Sequence, residues 1–288
     1  MKKIAFKNIF KKSRFSVISP GTKKKIVIIA AALLIVLFIV SIALIMTSRV
    51  NFDKAKAPIL EKGMITVGLR TDLDGLAKKT NTGEIEGYEA DLSAEIVKRL
   101  FPEGDVKVQY KEINSKTGKV FIDTGEIDMT LAAFFPSDDV SYLIYSDPYY
   151  TDTVVFYAKK DGVKELSQLA GKKAGVVTSS YAGINLEKYF KDKNIDCKVV
   201  QFASYPDAAD ALRFGSIDVF AGSSVLMRTY TEGFEQLPGN ILPHGFCIAV
   251  DKSNTELKKA LDSILTDLKK DGTVNLLEEK WQLPGYSK

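Results

Sequence analysis

Residues 26–46 read IVIIAAALLIVLFIVSIALIM, twenty-one residues in which Ser41 is the one polar side chain. A helix that is apolar on every face cannot lie on the surface of a water-soluble domain. At about 1.5 Å per residue this one reaches roughly 30 Å, the thickness of a bilayer's hydrocarbon core. Residues 1–25 carry nine Lys/Arg and no acid, and Arg49 is the one base close behind the apolar run. The positive-inside bias therefore predicts a basic cytoplasmic tail over 1–25, a transmembrane helix over 26–47 and an extracytoplasmic remainder. An excised signal peptide fits less well, because its apolar region runs about 7–15 residues and ends at a small-residue site. Here the run continues into TSRVNF, and with no cysteine before Cys197 there is no N-terminal thiol for a lipid. The expected location is the cell membrane, single-pass, with the N-terminus in the cytoplasm.

That tail also explains the basic overall charge. Removing its +9 from the total of +4 leaves −5 on the other residues. The domain is thus mildly acidic, and nucleic acid is excluded as a partner. Two cysteines, Cys197 and Cys247, do not make a disulfide framework.

After a linker expected over 48–62, strand and helix patterns alternate as in an α/β protein. In ITVGLR, residues 65–70, Ile65, Val67 and Leu69 alternate with smaller or polar residues, whereas DLSAEIVKRL, residues 91–100, sets Leu92, Ile96, Val97 and Leu100 on one helical face. A near-repeat follows: TGEIDM at 124–129 and FGSIDV at 214–219 each place a glycine at a helix end and Ile-Asp before an apolar strand. Two related lobes are expected. The segments PYYTDTVVFYAK and LPHGFCIAV would lead out of the first lobe and back into it, forming a hinge around a cleft. Lobe 1 is assigned to 63–153 and 244–288, and lobe 2 to 154–243. Leu257, Leu261, Ile264, Leu265 and Leu268 predict a long amphipathic helix stopped by Gly272.

Catalytic signatures are missing. There is no G-x-S-x-G and no phosphate-binding glycine loop. His244, the single histidine, has no metal-ligand set around it in the sequence, and Asp138 and Asp139 after Pro136 read as a solvated turn. No enzyme activity, cofactor or metal is expected. One oddity is that no Lys or Arg occurs between Lys119 and Lys159 in a chain that has 40 of them.

The pieces VGLR, GEIEGYEADLSAEIVKRL, TGEIDMTLAA, YSDPYY, LAGKKAGVVTSS, ALRFGSIDVFAGS, CIAV and LKKDGTVNLLEEKW, spread in order over Ile65–Trp281, resemble the bacterial extracytoplasmic solute-binding proteins of the polar amino-acid ABC transporter type, family 3. The resemblance implies a two-lobed periplasmic-binding-protein-like fold with two hinge strands, which closes on a small-molecule ligand and delivers it to an ABC permease. It also implies three devices for an amino acid, and this sequence departs from each. Leu73 and Leu76 stand where the family places aromatics in its first loop, FFPSDDVS has no arginine for the α-carboxylate, and Ser223 replaces the aspartate for the α-ammonium. Ordinary α-amino acids are therefore doubtful ligands. The residues left to line the pocket are Arg70 and Asp72 at the end of the first strand, Leu73, Leu76, Phe134 and Phe135 in lobe 1, and Ser179, Ser180, Tyr181 and Ser223 in lobe 2. Arg70 is expected to take an anionic group, Phe134 or Phe135 to face the ligand, and the hydroxyls of the TSSY turn to cap a helix or offer an anion site. An ectodomain that senses a ligand or binds another protein is the alternative.

Overall fold

The computed structural model describes residues 50–73, 76–114, 116–137 and 140–284, together with Ile29 and residues 33–36. The tail and most of the apolar run lie outside the described residues, as do Asp138 and Asp139. Among the described residues no helix is long and apolar enough to cross a membrane. In chain order the domain begins with α1 (Phe52–Lys62), β1 (Met64–Arg70), β2 (Lys78–Lys79), β3 (Ile85–Glu86), α2 (Tyr88–Leu100) and β4 (Lys107–Ile113). Next come α3 (Thr117–Asp123), β5 (Met129–Leu131), β6 (Leu143–Lys159), β7 (Lys172–Val177), α4 (Tyr181–Asp192) and β8 (Cys197–Phe202). The rest is α5 (Tyr205–Arg213), β9 (Val219–Ser223), β10 (Phe234–Gln236), β11 (Ile241–Asp251), α6 (Thr255–Lys270) and α7 (Thr273–Lys280).

The near-repeat marks the same structural position twice. Gly125 and Gly215 both adopt the left-handed conformation, with φ of 70° and 77°, which a side chain disfavours. In each copy the aspartate then ties the incoming chain to the first strand of its lobe. Asp128 N–H donates to Thr66 O and its carboxylate accepts Thr66 N–H, both at 2.9 Å. Asp218 makes the same pair of bonds to Lys173, at 2.9 and 2.8 Å. The isoleucines before them cover equivalent glycines: a Cβ built on Gly68 would meet Ile127 at 2.7 Å, and one on Gly175 would meet Ile217 at 2.4 Å. Each glycine is thus the gap into which the repeat's isoleucine packs.

The strand order is β4-β1-β5-β11-β6-β9-β7-β8, with β10 on β6. In one lobe β1 runs parallel between β4 and β5, and in the other β7 runs parallel between β8 and β9. Between them the long strands β6 and β11 pair antiparallel, from Leu143↔Asp251 to Val154↔Ile241. These two strands are the hinge, and they make the lobes two halves of one sheet. In the first lobe the helical stripe Leu257, Leu261, Ile264, Leu265 and Leu268 is buried with Leu92 and Ile96 against Ile65, Val67 and Leu69. The second lobe buries Leu186 and Phe190 against Val154, Phe156, Val176 and Ala221. Each such side chain contributes about 1.5–3 kcal/mol.

Three expectations need correction here. The stretch read as a linker is helical over Phe52–Lys62, because Asn51 caps it by accepting Lys54 N–H at 3.0 Å and Ala55 and Ile59 drop one turn apart into the core. Leu76 is fully buried: its N–H closes a turn onto Leu73 O at 3.1 Å, and its side chain joins the first lobe's core. It borders a separate depression of about 340 Å³ that also touches Lys78, Arg228 and Trp281. Phe134 is buried against Ile113, Ile122, Ile127 and Leu143, which leaves its neighbour Phe135 pointing the other way.

Candidate functional site

Ligands of open α/β sheets gather beyond the carboxyl ends of parallel strands. Here the ends of both halves of the sheet converge on one cavity of about 380 Å³. From the first lobe come Arg70, Asp72 and Leu73 after β1 and Ala133 and Phe135 after β5. The second lobe supplies Ser179, Ser180 and Tyr181 after β7, Ser204 and Tyr205 after β8 and Ser223 at the end of β9. The hinge contributes His244 and Phe246. Eight of the ten residues singled out in the sequence thus meet at one cavity, and Leu76 and Phe134 do not.

Several of them are already engaged. Arg70 is held in a bidentate pair by Asp72, Nε to Oδ1 at 2.9 Å and Nη2 to Oδ2 at 2.7 Å. Its side chain is only 18% exposed, whereas that of Asp72 is 55% exposed. The pair uses Nε and one N–H of Nη2, so the other guanidinium donors remain for an anion. Ser180 is the cap of α4: its hydroxyl accepts Gly183 N–H at 3.0 Å and donates to Val177 O at 2.7 Å. Ser223 is buried, and its Oγ accepts Leu226 N–H at 3.1 Å. Ser179 is exposed at the mouth of the same turn.

The walls are aromatic. Tyr181 stacks flat on His244, with centroids 3.9 Å apart and planes at 4°, and meets Phe135 edge-on at 5.1 Å. Tyr205 and Tyr230 stack at 5.6 Å and 15°. Tyr205, Tyr230, His244 and Phe246 are the aromatic lining residues that sequence reasoning missed. One signal was available for Tyr205, which follows β8 as Asp72 follows β1. None was available for Tyr230, His244 and Phe246, which arrive by strand register and chain reversal.

Behind the cleft lies a fully buried acid, Glu89. Its Oε1 accepts the Tyr149 hydroxyl and, at 2.9 Å, the N–H of Ala133 on the cavity wall. Its Oε2 has no partner, and burial pushes its pKa up to about 7 against the bonds from Tyr149 and Ala133. Among the described residues no group of three or more His, Cys, Asp or Glu is placed to hold a metal ion. Cys197 and Cys247 are both free, and burial raises both thiols, Cys197 to about 11 and Cys247 to about 12.

Residues 65–284 match the bacterial extracellular solute-binding proteins, family 3. The chain belongs to that family. It is 28% identical over 235 residues to the ABC transporter glutamine-binding protein GlnH of Bacillus subtilis (strain 168), covering 78% of this chain and 83% of the relative. A putative ABC transporter arginine-binding protein 2 of Escherichia coli (strain K12) is 29% identical over 147 residues, 48% of this chain and 59% of its own. Among solved structures, an ancestral arginine-binding protein bound to arginine matches with a TM-score of 0.61 at 28% identity, over 76% of this chain and 98% of that one. The P235GK mutant of ArgBP from T. maritima matches with a TM-score of 0.63 at 26% identity, over 80% and 100%. As in the family, two α/β lobes face each other across a cleft. The cavity wall carries Leu73, Phe135 and Ser223.

Proposed function

We propose that the protein is a membrane-anchored extracytoplasmic solute-binding protein that closes on a small ligand and delivers it to an ABC permease. The observation that carries the reading is the cavity lined from both lobes and floored by the two hinge strands. Relatives named for glutamine and arginine support an amino-acid-like solute. The walls argue against the common α-amino acids, because a buried serine, not an acid, stands where the resemblance places the partner of the α-ammonium. A ligand with an anionic end for Arg70 and an uncharged, partly apolar body for Phe135, Tyr181 and Tyr205 fits best.

A thermal-shift screen of the full-length chain in detergent tests this, with common amino acids, small carboxylates, short peptides and modified amino acids as the panel. A ligand at 100 times its Kd adds about 2.7 kcal/mol, roughly 5–10 °C for a domain of this size. Arg70→Ala is expected to abolish the shift given by an anionic ligand and to leave the unliganded Tm nearly unchanged, since a half-exposed pair contributes about 1 kcal/mol or less. Micromolar binding of a common α-amino acid, or a shift that survives the substitution, overturns the ligand assignment. A panel without a hit favours the sensing or protein-binding alternative.

The anchor rests on the apolar run of residues 26–46 and the nine bases before it. Protease added to spheroplasts is expected to digest the domain and leave a small basic membrane fragment. Recovery of a soluble chain beginning near residue 48 would remove the anchor.

A further inference from the structure

Asp152 and His244 sit opposite each other in the β6–β11 ladder, one on each hinge strand. Asp152 is fully buried and His244 is 9% exposed. One carboxylate oxygen of Asp152 is satisfied, since Oδ1 accepts the N–H and hydroxyl of Ser224 at 3.1 and 2.5 Å. The other, Oδ2, has no hydrogen-bond partner and lies 3.6 Å from His244 Nε2. The second ring nitrogen, Nδ1, is 3.1 Å from the carbonyl oxygen of Leu242. A carbonyl only accepts, so Nδ1 carries a proton. A neutral ring then turns the Nε2 lone pair toward a buried carboxylate oxygen, two acceptors facing each other with water excluded. A low-dielectric interior penalises that arrangement heavily. One proton between Oδ2 and Nε2 removes the conflict, whichever atom holds it.

We propose that Asp152 and His244 are a proton-sharing pair built across the hinge, and that the shared proton positions Tyr181, the wall that the other lobe brings to the cleft. The Tyr181 ring lies parallel to the imidazole at 3.9 Å, while Phe135 and Phe246 approach its edge at 6.2 and 5.5 Å. With the bridge in place the imidazole keeps the plane on which Tyr181 rests. Once the proton is lost, the ring turns away from the carboxylate and the stacking surface turns with it. The groups facing the imidazole are Asp152 from β6, Tyr181 from α4, Phe135 from the segment after β5 and Phe246 from β11 itself, and Asp152 is the charged one among them. Arg70 and Asp72 line the same cavity but neutralise each other. Burial, the strongest influence, holds the imidazole's pKa below its ordinary value, and Asp152 and the Leu242 carbonyl push it back up in part. His244 is thus a positioning residue for the cleft, and the cleft's shape is linked to pH.

The chain contains a single histidine, so its ring gives one set of signals in an NMR spectrum. The experiment is a pH titration of the full-length chain in detergent micelles, labelled with ¹³C and ¹⁵N at histidine. The expected result is a single step in which the ring loses its proton as the pH rises. The upfield displacement that the Tyr181 face gives the ring protons should disappear in the same step. Asp152→Asn is expected to lower the ring's proton affinity at least tenfold, and Tyr181→Leu to remove the displacement. A step that Asp152→Asn leaves in place, or a displacement that stays constant through the step, overturns the proposal. Should Asp152→Asn fail to fold, the displacement in the wild-type titration decides by itself.

Discussion

Glu89→Gln removes a fall in stability that the unmodified chain shows between about pH 4.5 and 7, whereas Glu89→Ala costs about 3 kcal/mol. Both results follow from one buried carboxyl. Burial raises its pKa from 4.5 to about 7 in the native state. Between those values the native chain holds a proton that the unfolded chain has released, so stability declines as pH rises. The contribution is complete below about 4.5 and gone above about 7, and a difference of that size corresponds to about 3 kcal/mol. Glutamine is neutral throughout and still offers an oxygen to Tyr149 and Ala133, so the slope vanishes while the contacts survive. Alanine leaves the buried Tyr149 hydroxyl without its acceptor and opens a cavity beside α2. Other acids contribute to the raw pH profile, so the quantity to read is the difference between wild type and Glu89→Gln in denaturant unfolding from pH 4 to 8. A difference that is flat across that range would place a charged, satisfied carboxylate at Glu89. Because Ala133 lines the cavity and holds φ at 52°, the Glu89→Ala cost is expected to appear as weakened ligand binding as well.

What the sequence reveals here depends on how local each cause is. The two Gly-x-Ile-Asp copies are local, since a left-handed glycine, an isoleucine packed over a strand glycine and an aspartate bonded to strand backbone all lie within a few residues. Their recurrence therefore discloses the paired lobes. Arg70 is legible because it ends a strand whose alternation is plain, and Ser179 because it lies in a hydroxyl-rich turn that opens a helix. The helix Phe52–Lys62 was hidden by Pro58 and Gly63, two residues that punctuate loops elsewhere, although Asn51 and the Ala55–Ile59 spacing argue for it. Phe134 and Phe135 show the limit of period-two reasoning: adjacent residues face opposite ways, but which one faces the core is fixed by α3 and β6 packing against them. His244 is further still from local sequence. Read alone it has no partners, and only the β6–β11 register brings Asp152 opposite it. Burial accounts for only part of the absence of bases from residues 120–158: β5 and much of β6 are buried, whereas Asp123, Thr124, Glu126, Ser141 and Asp147 are exposed and nothing in the structure explains why none of them is a base.

Gly183→Ala is expected to destabilise the domain by about 3 kcal/mol and to abolish ligand binding, against what helix propensity alone predicts. In an open helix, alanine in place of glycine gains up to about 1 kcal/mol. At this position a Cβ would stand 2.1 Å from Val177 O and 2.8 Å from Thr178 O. Those are backbone atoms at the end of β7, not side-chain tips that can swing aside. The start of α4 must move off the strand, and its anchoring bonds go with it: Ser180 N–H and Oγ to Val177 O, at 3.0 and 2.7 Å, and Gly183 N–H to Ser180 Oγ at 3.0 Å. The displaced turn carries Ser179, Ser180 and Tyr181, one wall of the cavity and the surface stacked on His244. Overpacking therefore outweighs propensity, and the damage falls on the site. Urea unfolding of the full-length chain measures the stability term, and the thermal shift given by any ligand from the screen measures the site. Ile184→Ala, one residue further along the same helix and 58% exposed, is the matched control and should change both by little. A Gly183→Ala chain as stable as wild type would mean that α4 starts farther from β7 than a 2.1 Å approach requires, and with it the Tyr181 wall.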